Sequence, residues 1–154
     1  MNKYYFGLAL GLILAAVVVM TNVVFPNSAA DNGILVGFIY LILFAQFAME
    51  GFMVTKKKDG LGNGAWSGAV SAIITFVIVM ETFIIIDKVF FTIVSQQVDK
   101  IQAFTNQTTY TNMRDFIDAN NTRGLLVGSI MAAIFGGAAG LLGAGIKTMS
   151  KKKK

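Results

Sequence analysis

The stretch GLLVGSIMAAIFGGAAGLLGAGI, residues 124–146, runs without a single charge. A helix rises 1.5 Å per residue and needs about 20 mostly apolar residues to cross a bilayer, so this segment reads as a membrane span. Within it Gly124, Gly128, Ala132, Gly136, Gly140 and Ala144 recur every fourth position. Side chains four apart share a helix face, so the span carries a ridge of small residues. Lipid gives helices little hydrophobic drive to associate, and close backbone approach takes its place. The ridge therefore predicts tight contact with another helix, in this chain or in a second one.

Three further segments qualify as spans: residues 4–25, closed by Pro26, residues 34–54 and residues 65–86. The first carries Gly7, Gly11 and Ala15 at the same spacing, the second Gly33 and Gly37, and the third Gly64, Gly68 and Ala72. The first is too long for the core of a signal peptide, and Val23-Val24-Phe25-Pro26 is a poor cleavage sequence, with Ala29-Ala30 the alternative site. The reading is an all-α polytopic membrane protein, a single domain over residues 1–154. It forms a four-transmembrane-helix bundle with a helical hairpin at 87–123 and a basic tail at 147–154.

Composition agrees. The chain is 55% hydrophobic and 14% charged, against about 25% charged in soluble domains. Its mean hydropathy is +0.67. It has no cysteine and no histidine, which removes disulfides, thiolate metal sites and the usual proton shuttle near neutral pH. No cofactor is implied, and an enzyme is not expected.

The net charge of +5 is distributed as a topology signal. Lys3, Lys56 to Lys58, Lys147 and Lys151 to Lys154 flank the spans on one side. The loop with Asp31 has no cation, and Lys100, Arg114 and Arg123 are diluted by Asp99, Asp115 and Asp118. The positive-inside rule then places both termini in the cytoplasm and residues 87–123 outside a plasma membrane. Tyr4, Tyr5 and Trp66 sit at the same boundary as the lysines, where amphipathic rings prefer to lie. The lysine tail reads as a topology anchor, with anionic lipid as its other reading; nucleic acid is not expected.

Between the third and fourth spans, Asp87 and Lys88 mark a water boundary. The absence of Gly or Pro predicts that the third helix continues to about Phe104, with Val94, Val98, Ile101 and Phe104 on one face. Residues 106–111 read as a turn. Thr111 or Asn112 caps a short helix from Met113 to Ala119, striped by Met113, Phe116 and Ile117. The hairpin is either a functional loop or a cover for the bundle's outer end. Asn106-Gln107-Thr108 and Asn120-Asn121-Thr122 match the N-glycosylation triplet.

Three polar residues inside the spans form the candidate site: Gln46, Glu50 and Glu81, with Asn22 at the height of Glu81. An ionisable group within a span is a functional hypothesis by default. Gln46 and Glu50 are four apart and share a face. Glu50 either lines a polar pocket with Gln46 or reaches toward Lys56 to Lys58. Glu81 is expected to face Thr21 and Asn22, as a proton or cation site or as a hydrogen-bonded strut. Helix rise puts Glu50 and Glu81 about 15 Å apart in depth, too far to share an ion.

The Gly-rich first span, Gly51, the run Lys56-Lys57-Lys58-Asp59-Gly60-Leu61-Gly62-Asn63-Gly64-Ala65, the long third helix and the Gly-rich last span with its lysine tail form a pattern. It resembles uncharacterised small four-helix membrane protein families, domains of unknown function in archaea and bacteria. That resemblance implies the four-span fold and no assigned activity. The topology is also tetraspanin-like, without the outer cysteines that define tetraspanins.

The functional expectation is a structural or accessory membrane subunit, in a homo-oligomer or a larger complex. The alternative is a small ion- or proton-coupled transporter or channel using Glu81 and Glu50. A holin-like permeabilising protein stands third. Small multidrug transporters place their essential glutamate in the first span, where this chain has no acid.

Overall fold

The structure, a computed structural model, describes residues 3–24, 33–56 and 60–150. Phe25, Pro26, Ala29-Ala30, Asp31, Lys57-Lys58 and Lys151 to Lys154 lie outside the described residues. The regular structure is helical: α1 (Lys3–Val19), α2 (Gly33–Val54), α3 (Gly62–Val89), α4 (Phe91–Val94), α5 (Val98–Thr105) and α6 (Met113–Ser150). Four of these helices, α1 with its terminal turn, α2, α3 and α6, are long and apolar enough to cross a membrane.

They pack as a bundle around α3. The α3–α6 interface is the most extensive, α1 lies along α3, and α2 sits against α6 and α3 while scarcely touching α1. Helices α1 and α3 run in the same direction, with Gly7 beside Ser71 and Gly11 beside Thr75. Helix α6 runs opposite to them, with Ala144 beside Gly64. Helix α1 therefore starts where α6 ends, and this is called the Lys147 end. Tyr5 and Trp66 are both exposed near it.

The core is small and the surface is large and apolar. Phe47, Ala72 and Ala139 form one buried cluster. Phe135 of α6 is held edge-on by Tyr40, Phe44 and Phe47 of α2. Meanwhile Leu126, Val127, Ile130, Met131 and Ile134 of α6 are all exposed. Water does not tolerate such a contiguous apolar face; hydrocarbon does.

The last turn of α1 widens into a π-turn over Met20–Val24. Here Thr21 Oγ donates to Val17 O (3.0 Å) and Asn22 Nδ2 donates to Val18 O (2.9 Å). Side chains that bond back to carbonyls four residues earlier compete with the helical ladder.

Beyond α3 the structure differs from the expected continuous helix. The chain breaks at Phe90 (φ −111°, ψ 32°) and again at Ser95 to Gln97. The breaks turn Val94 fully inward onto Ile86 and Ile117, with Phe91, Met113 and Phe116 around them. Buried Gln97 donates from Nε2 to Asn22 O (3.3 Å). The apolar stripe is thereby split: Val94 is buried, Val98 and Ile101 are exposed, and Phe104 packs on Phe116.

The short helix expected at Met113 to Ala119 is instead the start of α6, which continues to Ser150. Asn112 is its cap, accepting from Asp115 N at Oδ1 (2.8 Å) and donating to Asp115 Oδ2 (2.6 Å). Gly124 does not stop the helix, because a helical glycine costs only about 1 kcal/mol and packing outweighs it. At 38 residues α6 is about 57 Å long, well beyond an apolar layer of about 30 Å. Gly60, with φ +61°, makes the turn that leads into α3, and the helix takes up the rest of the glycine-rich run from Gly62.

Candidate functional site

The buried stripe of α3 is Gly64, Ser67, Gly68, Ser71, Ala72 and Thr75, spaced three and four apart on one face. It holds small side chains and three hydroxyls. Opposite it, Glu50 of α2 is 1% exposed, and its Oε1 accepts from Ser67 Oγ (2.5 Å). Glu50 thus turns into the bundle, while Lys56 is exposed. Thr75 Oγ donates across to Gly7 O of α1 (3.1 Å), and Thr55 Oγ donates to Gly51 O at the end of α2 (2.6 Å). The hydroxyls tie α3 to both neighbours. The polar atoms here are all oxygens, and no cluster of three His, Cys, Asp or Glu that could hold a metal occurs among the described residues. Interhelical hydrogen bonds in lipid are worth on average about 0.6 kcal/mol and reach about 2.

The helices approach closely around this stripe. An added Cβ at Gly136 would strike Gly68 O and Ala72, one at Gly140 would strike Gly64 O, and one at Gly68 would strike Gly136 O. Ala144 is fully buried against Gly64. The Gly124 half of the ridge is different. Gly128 receives the Phe76 ring, Gly124 meets only Met80 Cε (3.3 Å), and Ala132 flanks the Phe47 cluster. On α1, Gly7 lies against Ser71 and Gly11 against Ile78. Gly37 has open space around it; Gly51, against Gly140, is the close-contact glycine of α2.

Glu81 and Gln46 are not drawn into this cluster. Glu81 is exposed, and among the described residues it makes no hydrogen bond or ion pair. The hydrogen bonds of Thr21 and Asn22 go to Val17, Val18 and each other, with Gln97 on the Asn22 carbonyl. Gln46 is half-buried one turn from Glu50. Glu50 lies level with Ser67, about 21 Å along α3 from Glu81, so the two carboxyls form no common centre.

No family model, curated protein or solved structure matches this chain. The geometry alone carries the functional reading.

Sequence reasoning missed a second polar lock at the opposite end of the bundle. Asp87, the expected water boundary, is buried at 4% exposure. Its Oδ2 accepts from Asn121 Nδ2 of α6 (2.6 Å) and lies 3.8 Å from Lys100 Nζ of α5. Arg114 stacks over Phe91 at 4.3 Å, fixing α4 to the first turn of α6. At the other end, Lys147 Nζ donates to Met53 O (3.1 Å) and covers Phe52, closing the C-terminus of α2. The signals for the missed residues were present but ambiguous. Ser67, Ser71 and Thr75 repeat at four-residue spacing, yet such residues also occur singly in many spans.

The Asp87 lock makes a testable contrast. Asp87→Ala strands the buried Asn121 amide and is expected to cost about 1–3 kcal/mol. Faster amide exchange across α4 and α5 would report it. Lys100→Ala removes only a long, partly exposed ion pair and is expected to cost under about 1 kcal/mol.

Proposed function

We propose that this chain is a structural or accessory subunit of a membrane assembly, acting through helix packing. It crosses the membrane four times, with the Lys147 end in the cytoplasm and α4–α5 outside. The observation that carries the reading is Glu81, an exposed carboxyl and the one charged residue within the span at 65–86. A charged residue at the centre of a span costs about 2.5–3.5 kcal/mol on insertion scales, an upper bound for Glu81, which lies about 8 Å inside one end of its span. Residues of this kind turn toward a bundle interior or a partner, and Glu81 does not turn inward. A transport route through this bundle would use the two carboxyls in series. Instead Glu50 is tied to Ser67 inside the bundle and Glu81 lies on its outer surface.

Two further features support the reading. Glycines occupy the closest approaches of α2, α3 and α6, which makes a rigid unit of small cross-section. Lys56 and Lys147 belong to the same end, in keeping with the positive-inside pattern.

The test is the mass of the mildly extracted particle with its co-purifying proteins identified. A defined oligomer or a stoichiometric partner is the expected result. A clean monomer that instead passes ions or protons in proteoliposomes, with the flux lost in Glu81→Gln, would replace this reading with the transport one.

A further inference from the structure

The lysines of the Lys147 end have no counter-charge within the chain. We infer that this end binds anionic phospholipid, the lysines holding the phosphate groups and the exposed apolar side chains beside them holding the acyl chains. The inference rests on the four-span reading and is independent of the subunit role.

Lys3, Lys56 to Lys58, Lys147 and Lys151 to Lys154 belong to this end, and the sequence sets one acid among them, Asp59. Glu50 was the other carboxyl within reach of Lys56. The structure takes it away, because Glu50 is 1% exposed and turned inward on Ser67. Lys56 is exposed, and Lys147 contacts Met53 O and the Phe52 ring, neither of which carries a charge. Among the described residues no ion pair occurs at this end. The opposite end differs. There Lys100 lies 3.8 Å from buried Asp87, and Arg123 shares a surface groove with Asp118. Those cations have acids of the same chain beside them.

The uncompensated charge adjoins a lipid-facing wall. Met53 of α2 and Ile146 and Met149 of α6 are exposed, with Tyr5 of α1 and Trp66 of α3. Since Ala144 lies beside Gly64 and the two helices are antiparallel, Lys147 stands about 8 Å nearer the bundle's end than Trp66. That is about the thickness of one headgroup layer. Lysines at headgroup height over apolar side chains at acyl height match the two halves of a phospholipid. Clusters of four to eight cations beside a span attract anionic lipid, each lysine near the surface by about fivefold. Anionic headgroups are also the anions that a membrane already holds at this depth.

Trp66 is the chain's one tryptophan and is 63% exposed at this end, so it reports the site unmodified. The full-length protein is reconstituted into vesicles of phosphatidylcholine and phosphatidylglycerol, with bromine on the acyl chains of one lipid or the other. Brominated phosphatidylglycerol is expected to quench Trp66 as though bound about fivefold more tightly than brominated phosphatidylcholine. The preference is expected to fall toward unity at about 1 M salt, where the screening length is about 3 Å. Lys56→Gln, Lys151→Gln, Lys152→Gln, Lys153→Gln and Lys154→Gln together are expected to bring it within about twofold of unity. Both leaflets have the same composition, so a reversed insertion direction cannot mimic that loss. The salt series uses the unmodified chain and so does not depend on how the variant folds. Equal quenching by the two lipids, or a preference indifferent to salt, overturns the inference while the four-span reading stands. A Trp66 quenched by neither lipid overturns both.

Discussion

Replacing Gly140 with leucine is expected to dismantle the bundle. Gly140 stands where three helices meet. A Cβ on it would strike Gly64 O and come within 3.2 Å of Gly68 Cα, and Gly51 of α2 already packs on Gly140 from the other side. Overpacking a core costs about 1–3 kcal/mol when side chains can move aside. Here the obstacles are backbone atoms of α3, which cannot move aside as a side chain can, so the loss should exceed about 3 kcal/mol, a large part of a typical domain's stability. Denaturant titration in detergent, followed by circular dichroism and particle homogeneity, measures it. Gly37→Leu is the control: nothing lies within 4 Å of the new Cβ, and the midpoint should stay within about 0.5 kcal/mol. An unshifted midpoint for Gly140→Leu would mean that α2, α3 and α6 do not meet at this point.

Glu50→Ala is expected to be the most damaging change to a polar side chain. It empties a fully buried volume between α2 and α3 and takes the acceptor from the Ser67 hydroxyl. The cavity and the stranded hydroxyl together cost about 2–4 kcal/mol. Glu50→Gln keeps both the volume and an acceptor oxygen, and it should lose about 1 kcal/mol or less. A double-mutant cycle with Ser67→Ala isolates the pair, with an expected coupling of about 0.5–2 kcal/mol. Additive effects would show that Ser67 does not serve Glu50.

Both predictions concern residues visible in the sequence, but their roles were legible to different degrees. The small-residue ridge of the last span pointed to close packing with another helix, in this chain or in a second one. What the ridge concealed was its division. Gly136 and Gly140 meet helix backbone, whereas Gly128 makes room for the Phe76 ring. Four-residue spacing is the same in either case. Gly51 and Gly143, the latter against Ala48 O, fall outside the sequence's ridges, yet they are among the tightest contacts. Depth was similarly legible: the helix rise alone separated Glu50 from Glu81.

The segment between α3 and α6 shows the opposite outcome. A stretch without Gly or Pro reads as unbroken helix from local propensity. The structure breaks it at Phe90 and at Ser95 to Gln97 because a turn buries Val94 and gives Gln97 a partner in α1. Burial of a few side chains outweighs one continued turn of backbone hydrogen bonds, and no local pattern records that balance.

By itself the sequence determined four long apolar segments and how far apart residues lie along each. These follow from hydropathy and from a fixed rise per residue. It did not determine the helix lengths, since α6 runs from Met113 to Ser150 and α3 ends at Val89. Only the tertiary structure decided which face of each helix is inside. It turned Glu50 and Asp87 inward, to Ser67 and Asn121, and left Glu81 outside. In water the polar face of an amphipathic helix announces its own exposure. In lipid both faces are apolar, that signal vanishes, and the packing of one helix on another has to choose.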